Sequence, residues 1–292
     1  MRQTTGNLLV VVALVLAGIV ILSYLSSTDA ELSRYNYGWN GTSSFYDQLE
    51  RFGSTPITSY PVLHSAPPGT LLLVEPHHLL KGEEKESIRQ FVTNGGTLIV
   101  IGKKQSANDI LEAAGSMIKI QESPLSSMDM EYDNPRMVIA YQAQEHSLLE
   151  GVKSIALNQP STLTGGEALL QTSSISWIDT NNNGIPDGTE KLGKKSVMAH
   201  EIIDNGEIIV LADSGILINS MDFTVSERDN AQLRTNIVTS AKPSYDTVTS
   251  QPFMTEGYLQ AVTGAKSTTV IKILAILLIT GIICIAYARK IL

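Results

Sequence analysis

Cysteine is nearly absent. The chain has one, Cys284, and it sits inside an apolar run near the C-terminus. The polar middle therefore has no disulfide and no thiol nucleophile, and cysteine usage is silent about the redox compartment. Other catalytic signatures are missing too. There is no G-x-S-x-G elbow, no phosphate-binding loop and no dinucleotide fingerprint. No His or Cys spacing matches a known zinc site, and no internal repeat is evident. Long apolar runs are missing from the middle and confined to the two ends.

Those ends are the strongest signal present. Leu8 to Leu25 and Thr269 to Ala288 are each close to the roughly 20 helical residues that cross a hydrocarbon core of about 30 Å. Inside lipid the backbone must satisfy itself, so both are expected to be transmembrane helices. Arg2 precedes the first run, Arg289 and Lys290 follow the second, and Asp29 and Glu31 lie just past the first. Basic residues stay cytoplasmic. This places 1–7 and 289–292 inside and the middle outside, at a cell membrane. Lys266 and Lys272 weaken that asymmetry, though Lys272 can snorkel. A cleaved signal peptide is the rival for segment 8–25, but the run is long for one and Thr28-Asp29-Ala30 is a poor cleavage site.

The middle is acidic. Residues 26–268 hold 17 basic and 29 acidic side chains, a net charge of −12. Such a surface does not seek nucleic acid; the expected partners are the lipid bilayer and other membrane proteins. Asn40-Gly41-Thr42 is a glycosylation sequon, usable only outside the cytoplasm.

The middle reads as alternating strands and helices. Leu71 to Val74 and Thr97 to Ile101 are fully apolar runs, hence buried strands. Between them Gly82 to Thr93 predicts a helix, with Glu83 and Glu84 in its first turn and Ile88, Phe91 and Val92 as its stripe. Asn94-Gly95-Gly96 stops it. Ser106 to Ala114 reads as a short helix. Met137 to Tyr141, Ser154 to Leu157 and Ala168 to Thr172 read as strands. Ser196 to Ile203 and Glu207 to Ala212 flank the hairpin signal Asp204-Asn205-Gly206. Ile216 to Asn219 reads as a short helix, and Glu227 to Thr239 as the last. These spacings predict an α/β domain over 26–240 with a doubly wound, mostly parallel sheet. The Ser-, Thr- and Pro-rich stretch 241–268 reads as a stalk.

A family resemblance follows from the order of these elements. Asn36-Tyr37-Gly38-Trp39-Asn40-Gly41-Thr42-Ser43 opens a helix, and a strand ends in Glu75-Pro76. A helix then runs through Phe91-Val92-Thr93-Asn94-Gly95-Gly96 into Thr97-Leu98-Ile99-Val100. Later come Ala212-Asp213-Ser214 and Asp229-Asn230-Ala231-Gln232-Leu233. The chain resembles, over most of 30–240, the membrane-anchored proteins of domain of unknown function 4350. These are similar to the glutamine-amidotransferase-like fold and to accessory subunits of gliding-type transporters. The resemblance implies an amidotransferase-like fold, but the catalytic cysteine is missing, so it implies binding rather than catalysis.

The sharpest local motif is Asp179-Thr-Asn-Asn-Asn-Gly-Ile-Pro-Asp-Gly-Thr-Glu190. Read as a twelve-position calcium loop, it offers Asp179, Asn181, Asn183, the Ile185 carbonyl, Asp187 and Glu190 at 1, 3, 5, 7, 9 and 12, with Gly184 at the sharp turn. Calcium takes about six to eight oxygens, and this spacing wraps oxygens around one point. Two neutral Asn ligands imply weak binding, on the order of 10⁻⁴–10⁻³ M. No long helix precedes the loop, so it resembles the single loops of thrombospondin type-3 proteins. The expected cofactor is one structural calcium. The rival reading is a plain Asn/Gly turn.

Asp213, Ser214, Asn219, Asp229 and Asn230 lie beyond a predicted strand, where α/β sheets place ligand crevices, and form a possible cleft. Capping by Asx and Ser side chains explains the same residues. Of the five histidines, His77 and His78 follow Glu75-Pro76 at a strand end; His64, His146 and His200 are scattered. The expected function is thus a non-catalytic, membrane-anchored, extracytoplasmic binding or scaffold protein with a structural calcium loop. The alternatives are an auxiliary subunit of an ABC-type or gliding-type transport complex, and a cryptic serine hydrolase using Asp213, Ser214 and a histidine.

Overall fold

The computed structural model describes residues 27–64, 67–77, 80–255 and 259–261. The apolar runs 8–25 and 269–288, both chain tails, Cys284 and His78 lie outside these residues. Among the described residues no helix is long and apolar enough to cross a membrane. Ala30–Met254 form one compact unit.

In chain order the elements are α1 (Ser43–Arg51), β1 (Pro56–Ile57), β2 (Thr70–Val74), α2 (Gly82–Thr93), β3 (Thr97–Ile101), α3 (Ala107–Ala113), β4 (Lys119–Ser127), β5 (Met137–Gln142), β6 (Ser154–Asn158), β7 (Ser161–Thr164), β8 (Glu167–Thr172), β9 (Ser176–Ile178), β10 (Ser196–Ile203), β11 (Gly206–Leu211), α4 (Met221–Thr224), α5 (Asn230–Asn236) and β12 (Ser244–Asp246). The sheet runs β1-β12-β2-β3-β11-β10-β7-β4-β9; β8 also pairs with β10 and carries β5, then β6.

β1, β12, β2, β3 and β11 pair in parallel. The other pairings are antiparallel. The α/β class holds, but the mostly parallel expectation is corrected to a mixed sheet. Strands β4 to β11 follow one another with no α-helix between them, and parallel partners need a long crossover. Asp204-Asn205 makes the expected hairpin, with Ile203 opposite Gly206.

Alternation along the parallel strands builds two cores. Leu71, Leu73, Leu98, Val100, Ile208 and Val210 face Ile88, Phe91 and Val92 of α2 and Ile110 and Leu111 of α3. Leu72, Val74, Ile99, Ile101, Ile209 and Leu211 face Phe45, Tyr46 and Leu49 of α1 and Leu233 of α5. This half of the sheet is helix-covered on both faces, as expected. α2 starts where the Lys81 N–H donates to Glu84 Oε2 at 2.7 Å. It stops at Gly95, with φ +102°, followed by Gly96, where a Cβ would lie 2.6 Å from the Phe91 ring.

Residues 241–254, read as part of a stalk, instead continue the domain. β12 lies between β1 and β2. Buried Asp246 then ties the next turn: Oδ2 accepts from Thr249 N, Thr249 Oγ1, Ser250 N and Ser250 Oγ, at 2.7–3.0 Å, and Oδ1 from Val248 N. The Ser250 hydroxyl in turn accepts the Val74 N–H at 3.0 Å. The last helix is shorter than the expected 227–239 span, and a π-type turn follows it over Ile237–Ala241.

Candidate functional site

At the C-terminal ends of the parallel strands, where a crevice is expected, the structure places a closed polar knot. Glu75 follows β2 fully buried, in a left-handed conformation (φ +47°) that costs a non-glycine residue. Its Oε1 accepts the Lys104 N–H and its Oε2 the Lys103 N–H, both at 3.1 Å. The Ser214 hydroxyl donates to Oε2 at 2.5 Å. Gly102 leaves the necessary room, since a Cβ there would sit 3.3 Å from Glu75 Cα. Asp213 is wholly buried; Oδ2 accepts the Asn158 N–H at 2.6 Å and Oδ1 the Gly215 N–H at 2.7 Å. Burial pushes its carboxyl up to about 7 against the pull of Lys103 and these two bonds, and Glu75 adds to the rise.

Ser214 thus donates to a carboxylate inside the protein and has no exposed surface. A hydrolase built on it would need both a base and an entrance.

Three of the five possible cleft residues meet along one strand. Among the described residues β6 pairs only with β5. On its other side Asp229 Oδ2 accepts from Lys153 N and Ser154 N, at 2.8 and 3.1 Å. Asn230 bonds both the N–H and the C=O of Ala156. Asp213 takes the N–H of Asn158. Ser154, Ala156 and Asn158 alternate, so these are the outward-pointing backbone groups of the strand.

Asn219 does a different job. Its Nδ2 donates to the carbonyl of Gly38 at 2.7 Å, and its Oδ1 accepts the Ser44 N–H at 3.1 Å. Asn36 braces the same segment through Ala30 O, Asn40 Oδ1 and Gly38 N. So braced, Tyr37 and Trp39 project outward, 72% and 69% exposed, near Phe223 at 78%. With Asn219, Asp47 and Asp222 they line an open cavity of about 470 Å³. Buried Arg234 pairs with Asp222 from beneath and lies 5.9 Å over the Phe45 ring. Sequence reasoning missed this pocket, although Asn36 to Trp39 were marked by the family pattern.

The loop 179–190 joins β9 to the chain leading into β10. Asp179 is buried, its Oδ1 on Asn183 N and its Oδ2 on Gly184 N and Ser126 Oγ. Asn181 and Asn183 accept the N–H two residues on. Asp187 accepts the Thr189 N–H and hydroxyl, which hold its carboxyl below the usual value. Glu190 folds back, Oε1 on Thr180 N at 2.7 Å and Oε2 on Asp187 N. Gly184, with φ +74°, makes the sharp turn at the sixth position. Asp179, Asn181, Asn183, Asp187 and Glu190 therefore each accept a hydrogen bond from loop backbone. One contact runs against an ion: Asn181 Nδ2 donates to Asp187 Oδ2, and an amide rotation would present its oxygen instead.

Among the described residues, three His, Cys, Asp or Glu ligand atoms come within 4.8 Å of one another in a single set, His146, His200 and Glu207.

An α/β domain with a mixed sheet, a sealed strand-end knot and an open aromatic pocket is the class these features define. The chain belongs to the family described as Domain of unknown function (DUF4350), which matches residues 34–238. No curated protein matches it. Among solved structures it is similar to the mmIFT52 N-terminal domain (12% identity, TM-score 0.49, 70% of this chain and 91% of that one). It is also similar to Cytoplasmic Protein STM1381 from Salmonella typhimurium LT2 (13% identity, TM-score 0.44, 69% and 87%). A third is beta-galactosidase from Bacillus circulans sp. alkalophilus (15% identity, TM-score 0.38, 63% and 26%).

Proposed function

We propose that this protein is a non-catalytic binding or scaffold component of a membrane complex. Its terminal apolar runs tether an outward-facing, amidotransferase-like domain, one calcium ion braces the 179–190 loop, and the partner docks at the pocket of Tyr37, Trp39 and Phe223. The observation that carries the reading is the contrast between the two places a ligand could use. The strand-end residues are closed off inside the protein, whereas three large aromatic side chains stand in water around an open cavity. Clustered exposed aromatics mark recognition surfaces, because their burial in a partner releases a large apolar area.

The test is a photo-crosslinker at Tyr37 in the full-length chain in its native membranes. A discrete crosslinked species that disappears in Trp39→Ala and Phe223→Ala is expected. A yield no higher than at Ile202, exposed elsewhere, would remove the reading.

The calcium part is tested separately, by thermal unfolding of the full-length chain in detergent. With calcium at about ten times a millimolar-range Kd, the midpoint is expected to rise by about 3–5 °C. Chelator or Glu190→Gln should abolish the rise. An equal midpoint with and without calcium would mean that the loop is closed by its own hydrogen bonds alone.

A further inference from the structure

The opposite end of the parallel strands carries a different chemistry. His200 lies on β10 and Glu207 on β11. In that antiparallel pair His200 is opposite Ile209 and Glu207 opposite Ile202. Two-residue alternation therefore puts both side chains on the sheet face of Met198, Ile209 and Leu211. His146 reaches the same place from the start of a one-turn 3-10 helix, Ser147–Leu149.

Glu207 Oε1 lies 2.6 Å from His200 Nδ1 and 3.1 Å from His146 Nε2. The three side chains are 11–22% exposed. Burial works to raise the Glu207 carboxyl, but the two imidazoles outweigh it and hold the group below its ordinary value. A cavity of about 230 Å³, lined in part by Thr70, Thr97, His146 and Glu207, opens beside them. The second observation concerns His200 Nε2. Among the described residues it is buried with no hydrogen-bond partner. The carboxylate facing it, Glu167 Oε2, is 3.7 Å away.

We propose that His200, Glu207 and His146 form a binding site for a borderline divalent transition ion, with zinc the fitting member. Two imidazoles and one carboxylate are the donor set of an open three-ligand zinc site. They suit nitrogen-seeking ions and not calcium, which wants a shell of oxygens. Ligation through His200 Nδ1 leaves the proton on Nε2, aimed at Glu167. A ring N–H oriented by a carboxylate is the usual outer support of a metal-bound histidine, and it gives the unpartnered nitrogen a role. His146 is the costliest ligand. Its Nδ1 accepts the Leu148 N–H at 3.1 Å, so the neutral ring holds its proton on Nε2. Ligation through Nε2 gives up that bond. The cavity beside the set has room for a water ligand.

The site is separate from the calcium loop, so the two are tested independently. The tag-free, metal-stripped full-length chain in detergent is titrated with cobalt(II), read by its visible absorption, and then with zinc. A single equivalent should give the intense bands of four- or five-coordinate cobalt, bleached by zinc. Zinc at about a hundredfold excess over its Kd should raise the unfolding midpoint by about 5–10 °C. His200→Ala and Glu207→Gln should abolish the bands, His146→Ala should weaken binding less than either, and Glu190→Gln should leave it unchanged. Weak, featureless cobalt absorption, or bands that survive His200→Ala, would overturn the proposal. If His200→Ala does not fold, Glu167→Gln decides, because Glu167 is 71% exposed at its side chain. A loss of about tenfold in affinity supports the site, and an unchanged affinity overturns it.

Discussion

Replacing Asp246 by alanine is expected to cost the fold about 3–5 kcal/mol, a large share of a typical domain's stability. Asp246 is fully buried and accepts five hydrogen bonds, three from backbone N–H groups and two from the hydroxyls of Thr249 and Ser250. Alanine removes the acceptor and leaves the donors inside. Each buried orphan costs about 1–3 kcal/mol, less where a hydroxyl can turn or water can enter. The damage spreads, because Ser250 Oγ receives the Val74 N–H of a central strand. Denaturant unfolding of the full-length chain measures the loss. Asp246→Asn, which keeps one oxygen but turns an amide N–H₂ toward the donors, should fall between alanine and wild type. A loss below about 1 kcal/mol for alanine would mean that the 247–250 turn holds without this carboxylate.

The second large effect is a pH dependence of unusual sign for an aspartate. Asp213 titrates near pH 7 in the folded protein and near 3.8 when exposed. Between those values the folded chain keeps a proton that the unfolded chain has lost. Stability contributed by this group is full below about pH 4, falls as pH rises, and is gone above about pH 7. At about 1.4 kcal/mol per unit the whole change is on the order of 4 kcal/mol. Asp213→Asn cannot titrate, so comparison of the two chains isolates the group from all other carboxyls. Asparagine loses one of the bonds to Asn158 and Gly215, at about 1–3 kcal/mol, so the variant should be the weaker at pH 4.5. At pH 8, where wild type carries the buried charge, the order should reverse. Parallel stability curves across the range would show that the folded carboxyl stays ionised.

What was legible in the sequence was what local pattern decides. The strands at 70–74 and 97–101 are apolar on both faces because helices cover both. The intervening helix declares its start with Glu83 and Glu84 and its end with Gly95. The turn-forming pattern of Asp179 to Glu190 is equally local. β1, β7, β9 and β12, two to four residues each, carry no periodicity, and pairing partners far along the chain decide that they are strands. Residues 244–254 lacked an apolar stripe because a carboxylate, not a hydrophobic face, holds the turn after β12. Asp213, Asp229 and Asn230 were marked by type and place, yet their task depends on β6, more than fifty residues earlier. His146, His200 and Glu207 have no motif spacing, since the fold alone brings the first to the other two.

The side chains along β6 also determine how this protein avoids its own kind. A free strand edge of five residues is a template on which another chain can lay a strand, and from there aggregation proceeds. Here the N–H groups of Ser154, Ala156 and Asn158 and the carbonyls of Ser154 and Ala156 are already taken by the segments at 213 and 229–230, which leaves little of the row to recruit a stranger. Natural edges are more often guarded by charge, proline or brevity; this one is capped by side chains. Asn230→Ala would unblock both polar groups of Ala156 at once, and its cost would appear as concentration-dependent self-association at least as much as in the unfolding midpoint.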